Sequence, residues 1–138
     1  MLSDTAEYAL RAVLYIAQHA EERPLRAEEI AKALAVPRNY LSKILHVLAK
    51  EKVLRSTRGP HGGFQLAVAA ERLPLHRIVT PFDPMEARRT CLLGRPQCSD
   101  RNPCPAHERW KGISEQVGTF FRNTTVAALL KEGGRVTP

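Results

Sequence analysis

The most distinctive chemistry in this sequence belongs to three cysteines and a histidine in the second half of the chain. Cys91, Cys98 and Cys104 are followed by His107, with gaps of six, five and two residues, and no other cysteine occurs. An odd number of cysteines is a poor framework for intrachain disulfides, because one thiol always stays unpaired. Three thiolates and an imidazole, in contrast, can together bind a metal ion or an iron–sulfur cluster.

The spacing of these ligands favours an iron–sulfur cluster over zinc. Structural zinc sites usually begin with two cysteines roughly two to four residues apart, which fix a tight tetrahedron. Gaps of six and five residues form a wider loop that can enclose a larger cluster, and histidine replaces cysteine in some 2Fe-2S centres. Zinc binding, oxidation of the thiols and three unligated thiols in a loop are the alternatives.

Positive charge is concentrated in the middle of the chain. The sequence contains 21 Lys and Arg residues and 14 Asp and Glu residues, which gives a net charge of +7 and a pI of about 9.8. Between positions 38 and 77 the only acidic residues are Glu51 and Glu71. The basic residues there are Arg38, Lys43, Lys50, Lys52, Arg55, Arg58, Arg72 and Arg77. This segment therefore indicates an anionic partner. It coincides with the third helix and the hairpin predicted below, which favours nucleic-acid binding over an ordinary solvated surface.

The hydrophobic pattern predicts the elements that must position these residues. Apolar residues at helical spacing predict helices over 4–19, 27–34, from Pro37 onward, 75–79, 107–122 and 126–131. The pattern changes after Lys52, so 53–55 and 64–66 are predicted strands joined by the turn Gly59–Gly63. Three helices followed by a hairpin indicate a mainly α fold, a winged helix-turn-helix. A three-helix core with an unrelated loop is the alternative.

In a winged helix-turn-helix, the third helix and the tip of the hairpin are the parts that meet DNA. Leu41, Ile44, Leu45 and Leu48 form an apolar stripe that is the predicted buried face of this helix. Residues beside the stripe point outward near the N-terminal end of the helix, where asparagine and serine can hydrogen-bond to base edges. At the hairpin tip, an arginine beside glycines has the length and charge to enter a minor groove. The predicted DNA-binding residues are Arg38, Asn39, Tyr40, Ser42, Lys43, Arg58, Gly59 and His61.

The long helix predicted over 107–122 carries an apolar seam that has two interpretations. Its apolar residues recur mostly three and four positions apart, and they are Trp110, Ile113, Val117, Phe120 and Phe121. Such a seam joins two copies of a chain in a homodimer, or it packs within one chain. Periodicity alone does not distinguish these interpretations.

Several classes of protein are disfavoured by the sequence. Charge or proline interrupts every apolar run before the roughly 18 to 20 residues of a membrane span, and the first residues lack the pattern of a signal peptide. A cytoplasmic protein without membrane contact is therefore expected. No phosphate-binding loop, nucleophile elbow or paired acid and base near a cysteine is found, so an enzyme is not expected. An adaptor that binds another protein through the seam is a further alternative.

Motifs along nearly the whole chain resemble those of one family. They are Thr5-Ala6-Glu7-Tyr8-Ala9-Leu10-Arg11-Ala12, Tyr40-Leu41, Arg58-Gly59-Pro60-x-Gly62-Gly63-Phe64, the cysteine triplet with Cys104-x2-His107-x2-Trp110, and Asn123-Thr124-Thr125. Together and in this order, they resemble the Rrf2 family of bacterial winged-helix transcription regulators, which includes IscR-like and NsrR-like iron–sulfur proteins.

The resemblance implies a homodimer, joined through the long C-terminal helix, that binds palindromic operators in double-stranded DNA. It also implies a division of the chain into three parts. These are a winged helix-turn-helix DNA-binding domain over 1–80, an iron–sulfur cluster loop over 81–106, and a dimerisation helix followed by a short last helix over 107–138.

The resemblance further implies that an iron–sulfur cluster modulates operator binding, with 2Fe-2S expected and 4Fe-4S as the alternative. Cys91, Cys98 and Cys104 match the three cysteine ligands of the family. His107 matches the fourth ligand of IscR-like members, whereas Glu7, supplied by the partner chain, matches that of NsrR-like members. A regulator that uses the same cysteines for zinc binding or thiol oxidation is the alternative function.

Overall fold

The computed structural model describes residues 2–19, 23–84, 91–96 and 99–138. Within these residues the elements are α1 (Asp4–His19), α2 (Ala27–Leu34), α3 (Arg38–Lys50), β1 (Leu54–Thr57), β2 (Gly63–Leu66), a 3-10 turn (Ala70–Arg72), α4 (Leu75–Val79), α5 (His107–Asn123) and α6 (Val126–Glu132). The mainly α winged helix-turn-helix is confirmed, and the predicted helix ends agree to within one residue. β1 begins one residue later than predicted, because the Val53 N–H donates to the Leu48 carbonyl of α3 at 3.0 Å, and the ladder begins at Leu54.

Helix α1 is the centre of the packing. The Ser3 side chain caps its N-terminus, since the Ser3 Oγ accepts a hydrogen bond from the Ala6 N–H at 3.2 Å. Ala9 and Ala12 share a face with Ala6, and all three are fully buried. Their small side chains let neighbouring elements approach closely. Helix α1 contacts α2, α3, α4, α6 and β2, so it sets their relative positions.

A tight turn between α2 and α3 sets the geometry of the helix-turn-helix. Ala35 adopts a left-handed conformation with φ +56°, and the Val36 N–H donates to the Ala31 carbonyl at 3.0 Å, which closes the end of α2. Pro37 directly precedes α3, where its missing N–H removes no helical hydrogen bond. The predicted stripe is confirmed as the buried face of α3, formed by Leu41, Ile44, Leu45 and Leu48.

The hairpin, or wing, is joined to the segment that precedes α2. β1 and β2 pair antiparallel. Beyond this ladder, the Phe64 N–H donates to the Leu25 carbonyl at 2.7 Å, and the Leu25 N–H donates to the Phe64 carbonyl at 3.1 Å. Gly63 makes room for this contact, because a Cβ atom there would lie 2.5 Å from the Leu25 carbonyl oxygen.

Backbone hydrogen bonds join the segment between α5 and α6 to the start of α4. The Leu75 N–H donates to the Thr124 carbonyl, and the Val126 N–H donates to the Leu73 carbonyl, each at 2.9 Å. Thr125 caps α6, because its Oγ1 accepts a hydrogen bond at 3.1 Å from the backbone N–H of Ala128, in the first turn of that helix. These bonds hold the end of α5 close to the core.

The apolar seam of α5 divides between two environments. Phe121 is buried in the core, whereas Ile113 and Phe120 are 52% and 48% exposed. Trp110 and Val117 are half-buried. Packing within the chain therefore accounts for only part of the seam and leaves an apolar surface on α5. Neither α5 nor any other helix in the described part of the chain has the length and apolar composition needed to cross a membrane.

Replacing Gly63 by alanine is expected to destabilise the wing, because the new Cβ would meet the Leu25 backbone and Gly63 has φ +147°. Gly59→Ala is the matched control, since Gly59 also has a positive φ, +101°, but no atom lies within 4 Å of the added Cβ. Urea unfolding should show a loss of about 1 to 3 kcal/mol for Gly59→Ala and a larger loss for Gly63→Ala. Equal losses would contradict a steric role for the Leu25 contact.

Candidate DNA-binding surface and cysteine loop

The outer face of α3 carries most of the residues predicted to bind DNA. Arg38, Asn39 and Lys43 are exposed to solvent, and Ser42 is partly exposed. Their positions follow from the buried stripe on the opposite side of α3, which turns the intervening residues outward. The structure thus brings together two cations and two hydrogen-bonding groups on the surface of one helix.

The sequence predicted that Tyr40 points outward, but in the structure its side chain lies against α1. Its hydroxyl is hydrogen-bonded to the Thr5 hydroxyl, and its ring makes an edge-to-face contact with Tyr8, with the ring centroids 5.7 Å apart. Tyr40 is still 37% exposed, so it borders the outer face of α3 while connecting that helix to α1. Sequence reasoning missed the roles of Thr5 and Tyr8, although both belong to the motif at the start of the chain.

Arg38 forms an ion pair that sequence reasoning also missed. Its Nη2 atom lies 2.8 Å from Oε1 of Glu28, a residue in the first turn of α2. Both side chains remain more than half exposed, and exposed pairs of this kind contribute about 0.2 to 1 kcal/mol. A phosphate group can therefore displace Glu28 from Arg38. No spacing in the sequence signals this pair, because it depends on the angle between α2 and α3.

The tip of the wing exposes the remaining predicted DNA-binding residues. Arg58, Gly59 and His61 all lie in contact with solvent. The guanidinium of Arg26, at the start of α2, donates a hydrogen bond to the Pro60 carbonyl at this tip. This contact limits the movement of the tip relative to the helix-turn-helix, a role for Arg26 that its position in the sequence does not signal.

Two of the three cysteines are buried next to each other. Cys91 and Cys104 are 5% and 8% exposed, and both are free thiols. The backbone N–H of Leu93 donates a hydrogen bond to the Cys91 sulfur, and the Cys104 thiol and the Arg95 N–H donate further ones. These hydrogen bonds lower the pKa of Cys91. They therefore favour the thiolate, which is the form of cysteine that binds metals.

His107 is buried at the start of α5, and Asp100 holds its ring. The His107 Nε2 atom lies 2.7 Å from Oδ1 of Asp100, and the Lys111 ammonium lies 3.0 Å from the same oxygen. The hydrogen bond to His107, together with that to Lys111, keeps the pKa of Asp100 below its usual value. The backbone N–H of His107 donates to the Cys104 carbonyl at 3.0 Å. This bond connects the histidine to the last cysteine.

The chemistry of these residues suits a thiolate-bound metal centre. Cys98 lies outside the described residues, and in the described part of the chain no three His, Cys, Asp or Glu side chains are grouped closely enough to bind a metal ion. The two neighbouring thiols and their N–H donors nonetheless fit an iron–sulfur cluster, whose sulfur ligands are tuned by hydrogen bonds and burial. Glu7, the other candidate ligand, is exposed on α1.

The fold and the surface of α3 and the wing define a class of protein. A winged helix-turn-helix that exposes cations and hydrogen-bonding side chains on its third helix and its wing is a DNA-binding transcription regulator. The profile of the Rrf2 family, described as iron-dependent transcriptional regulators, matches residues 2–132. The chain belongs to the Rrf2 family, as its motifs indicated, and it is a regulator rather than an enzyme.

Named relatives agree with this assignment. A protein of Aquifex aeolicus (strain VF5), named as an HTH-type transcriptional regulator, is 37% identical over 132 residues, which cover 94% of this chain and 91% of the relative. The HTH-type transcriptional regulator IscR of Erwinia tasmaniensis is 30% identical over 129 residues, which cover 94% of this chain and 78% of that IscR. The chain is thus an IscR-like member of the family.

Solved structures share the fold. The chain matches T. potens IscR with a TM-score of 0.77 and 21% identity, over 97% of this chain and 88% of that protein. It matches CymR, the global cysteine regulator of B. subtilis, with a TM-score of 0.82 and 21% identity, over 97% of this chain and 98% of CymR. The winged-helix arrangement described above is therefore the arrangement found in both.

Replacing Glu28 by glutamine is expected to tighten binding to DNA. Glutamine keeps the size of the side chain but removes the charge that holds Arg38 and repels phosphate. Titration against a random-sequence DNA duplex at several salt concentrations measures the effect. The variant should bind more tightly at low salt, with a log–log salt slope steeper by up to about one, as expected for one added phosphate contact.

Glu51→Gln, at the C-terminal end of α3, controls for the change in net charge. In an Arg38→Ala background, the gain from Glu28→Gln should fall to that of this control, because the ion pair is already absent. An undiminished gain in that background would show that Glu28 acts independently of Arg38.

Proposed function

We propose that this regulator binds a palindromic operator as a homodimer and that an iron–sulfur cluster modulates the binding. The proposed ligands are Cys91, Cys98, Cys104 and His107, with 2Fe-2S favoured and 4Fe-4S as the alternative. The observation that carries the proposal is the pair of neighbouring buried thiols, Cys91 and Cys104, just ahead of α5. The description of the family as iron-dependent supports it.

The surroundings of Cys91 suit a negatively charged sulfur ligand. Burial alone would oppose the thiolate, because it removes the charge from water. The N–H groups of Leu93 and Arg95 replace part of that hydration, and the positive charge of Arg95 adds to the attraction. A bound cluster would supply a centre that responds to oxidants, to nitric oxide or to iron supply, and these residues would hold and shield it.

His107 is proposed as the fourth ligand in preference to Glu7 of the partner subunit. It lies three residues after Cys104, so the chain needs no long loop closure to bring it to the cysteines. It is also buried and hydrogen-bonded to a carboxylate, as ligating histidines commonly are. Glu7 is exposed, and only a second copy of the chain would bring it to the loop.

The DNA contacts are proposed to come from the outer face of α3 and from the wing. Asn39 and Ser42 would contact base edges in the major groove, and Arg58 would enter a minor groove. Tyr40 would act mainly by holding α3 against α1. The full set of proposed contacts is Arg38, Asn39, Tyr40, Ser42, Lys43, Arg58, Gly59 and His61. Binding to a chromosomal operator would place the protein in the cytoplasm.

The cysteine loop, residues 81–106, is connected through α1 to α3 at its first end and continues into α5 at its second. The Ser3 N–H, just ahead of α1, donates to Asp83 at 2.8 Å, and Tyr8 of α1 contacts Tyr40 of α3. In a dimer joined through α5, the order of this loop would influence the separation of two α3 helices. These helices must reach grooves about 34 Å apart, so a change in separation would alter operator affinity.

Thiol oxidation or zinc binding is the alternative use of the same loop. Cys91 and Cys104 are free and hydrogen-bonded to each other. Loss of two electrons and two protons to an oxidant would join them in a disulfide. Zinc would use the same thiolates without giving the protein a visible colour.

Protein purified without oxygen is expected to absorb visible light and to contain iron and sulfide. His107→Ala should lose the cluster or hold it weakly, because the substitution removes a ligand. Glu7→Ala should retain the wild-type visible spectrum. Cluster-bearing and cluster-free protein should then differ in operator affinity.

A colourless wild-type protein that contains zinc, or no metal, would contradict the cluster. If Glu7→Ala loses the cluster and His107→Ala keeps it, the fourth ligand is Glu7 of the partner subunit. Equal operator affinity with and without the cluster would contradict its regulatory role.

Dimerisation through α5 is expected to fail when a charge is placed on its exposed apolar surface. Ile113→Asp should give monomers in analytical ultracentrifugation, because burying a carboxylate against a partner helix is costly. Thr119→Asp, on another face of α5, adds the same charge and should leave the dimer intact. A stable Ile113→Asp dimer would place the interface elsewhere.

A further inference from the structure

Asp100 and His107 form a contact that the proposed set of cluster ligands leaves unexplained. His107 is 4% exposed, whereas the Asp100 side chain is 71% exposed. The bond between the His107 Nε2 and the Asp100 carboxylate, 2.7 Å long, therefore lies at the boundary between the buried ring and solvent. Lys111, one turn further along α5, contacts the same carboxylate oxygen at 3.0 Å.

We infer that Asp100 is a positioning residue for His107. Its carboxylate accepts the Nε2–H of the His107 ring, so that Nδ1 would be the nitrogen that holds the cluster. The inference rests on the proposed function and adds a residue to it. Ligating histidines almost always donate their second N–H to a carboxylate, a carbonyl or water. That bond selects the tautomer and holds the ring plane, so the metal meets an imidazole that is already oriented.

The carboxylate also changes the electron density of the ring. A histidine that donates a hydrogen bond to a negative group is a more basic ligand. Stronger donation stabilises the oxidised cluster relative to the reduced one, which lowers the reduction potential. Asp100 would therefore influence the potential without touching the cluster.

A purely structural role for Asp100 leads to a different expectation. The carboxylate also binds Lys111, so it could serve only to fasten the loop to the first turns of α5. Loss of Lys111 would then have the same consequence as loss of Asp100. The reduction potential of the cluster would not respond to the carboxylate through His107.

The test compares wild-type protein with three variants, all purified without oxygen and measured at one pH. Asp100→Ala removes the contact with His107, Asp100→Asn keeps an acceptor but removes its charge, and Lys111→Met removes only the second partner. The measurements are the rate of cluster loss to a chelator, the reduction potential and the visible spectrum. Thermal unfolding of the cluster-free variants reports any general loss of stability.

Asp100→Ala should lose the cluster about 10- to 100-fold faster than wild type, with a higher reduction potential and a shifted visible spectrum. Asp100→Asn should be intermediate, because an amide oxygen still orients the ring but donates less charge. Lys111→Met should not raise the potential, since the Asp100–His107 bond is intact in that variant.

Two results would overturn the inference alone. One is an Asp100→Ala protein with the cluster lifetime and potential of wild type, and the other is a Lys111→Met protein that reproduces the Asp100→Ala changes. Wild-type protein without iron, sulfide and visible absorbance would instead contradict the proposed function, and the inference with it. The wild-type control therefore separates the two failures.

Discussion

The face of α1 that carries Ala6, Ala9 and Ala12 is fully buried, and the rest of the domain is arranged around it. Elements α2, α3, β2, α4 and α6 all contact this helix, and the alanine side chains on its buried face allow close approach there. Tyr40 of α3 packs on α1 directly, and Asp83 of the cysteine loop accepts a hydrogen bond just ahead of it. Helix α3 and the cysteine loop thus depend on the same packing.

The charged groups of the protein are already organised within the single chain. Arg38 is paired with Glu28 on the outer face of the helix-turn-helix, and Arg26 holds the tip of the wing. In the cysteine loop, N–H donors surround the Cys91 sulfur and a carboxylate holds His107. The groups around Cys91 and His107 are oriented in advance, which lowers the reorganisation that metal binding would require, whereas Arg38 has to exchange Glu28 for a phosphate before it can contact DNA.

Local chemistry in the sequence was sufficient to predict most of the elements. Periodicity located the helices, because the buried face of a helix repeats in a regular way. Proline and glycine marked the turns, and the motifs identified the Rrf2 family, which the match over residues 2–132 confirmed. The cysteine spacing showed which residues could bind a metal, although it did not decide between a cluster, zinc and thiol oxidation.

The tertiary structure decided the contacts that join distant parts of the chain. Periodicity assigned Ile113 and Phe121 to one seam, yet Phe121 is buried in the core and Ile113 is exposed, because neighbouring elements cover only part of α5. The sequence indicated an outward Tyr40, but packing against α1 turned its hydroxyl toward Thr5. Sequence spacing alone determined what lies on one element. The angle between elements, which spacing does not encode, determined which side chains meet.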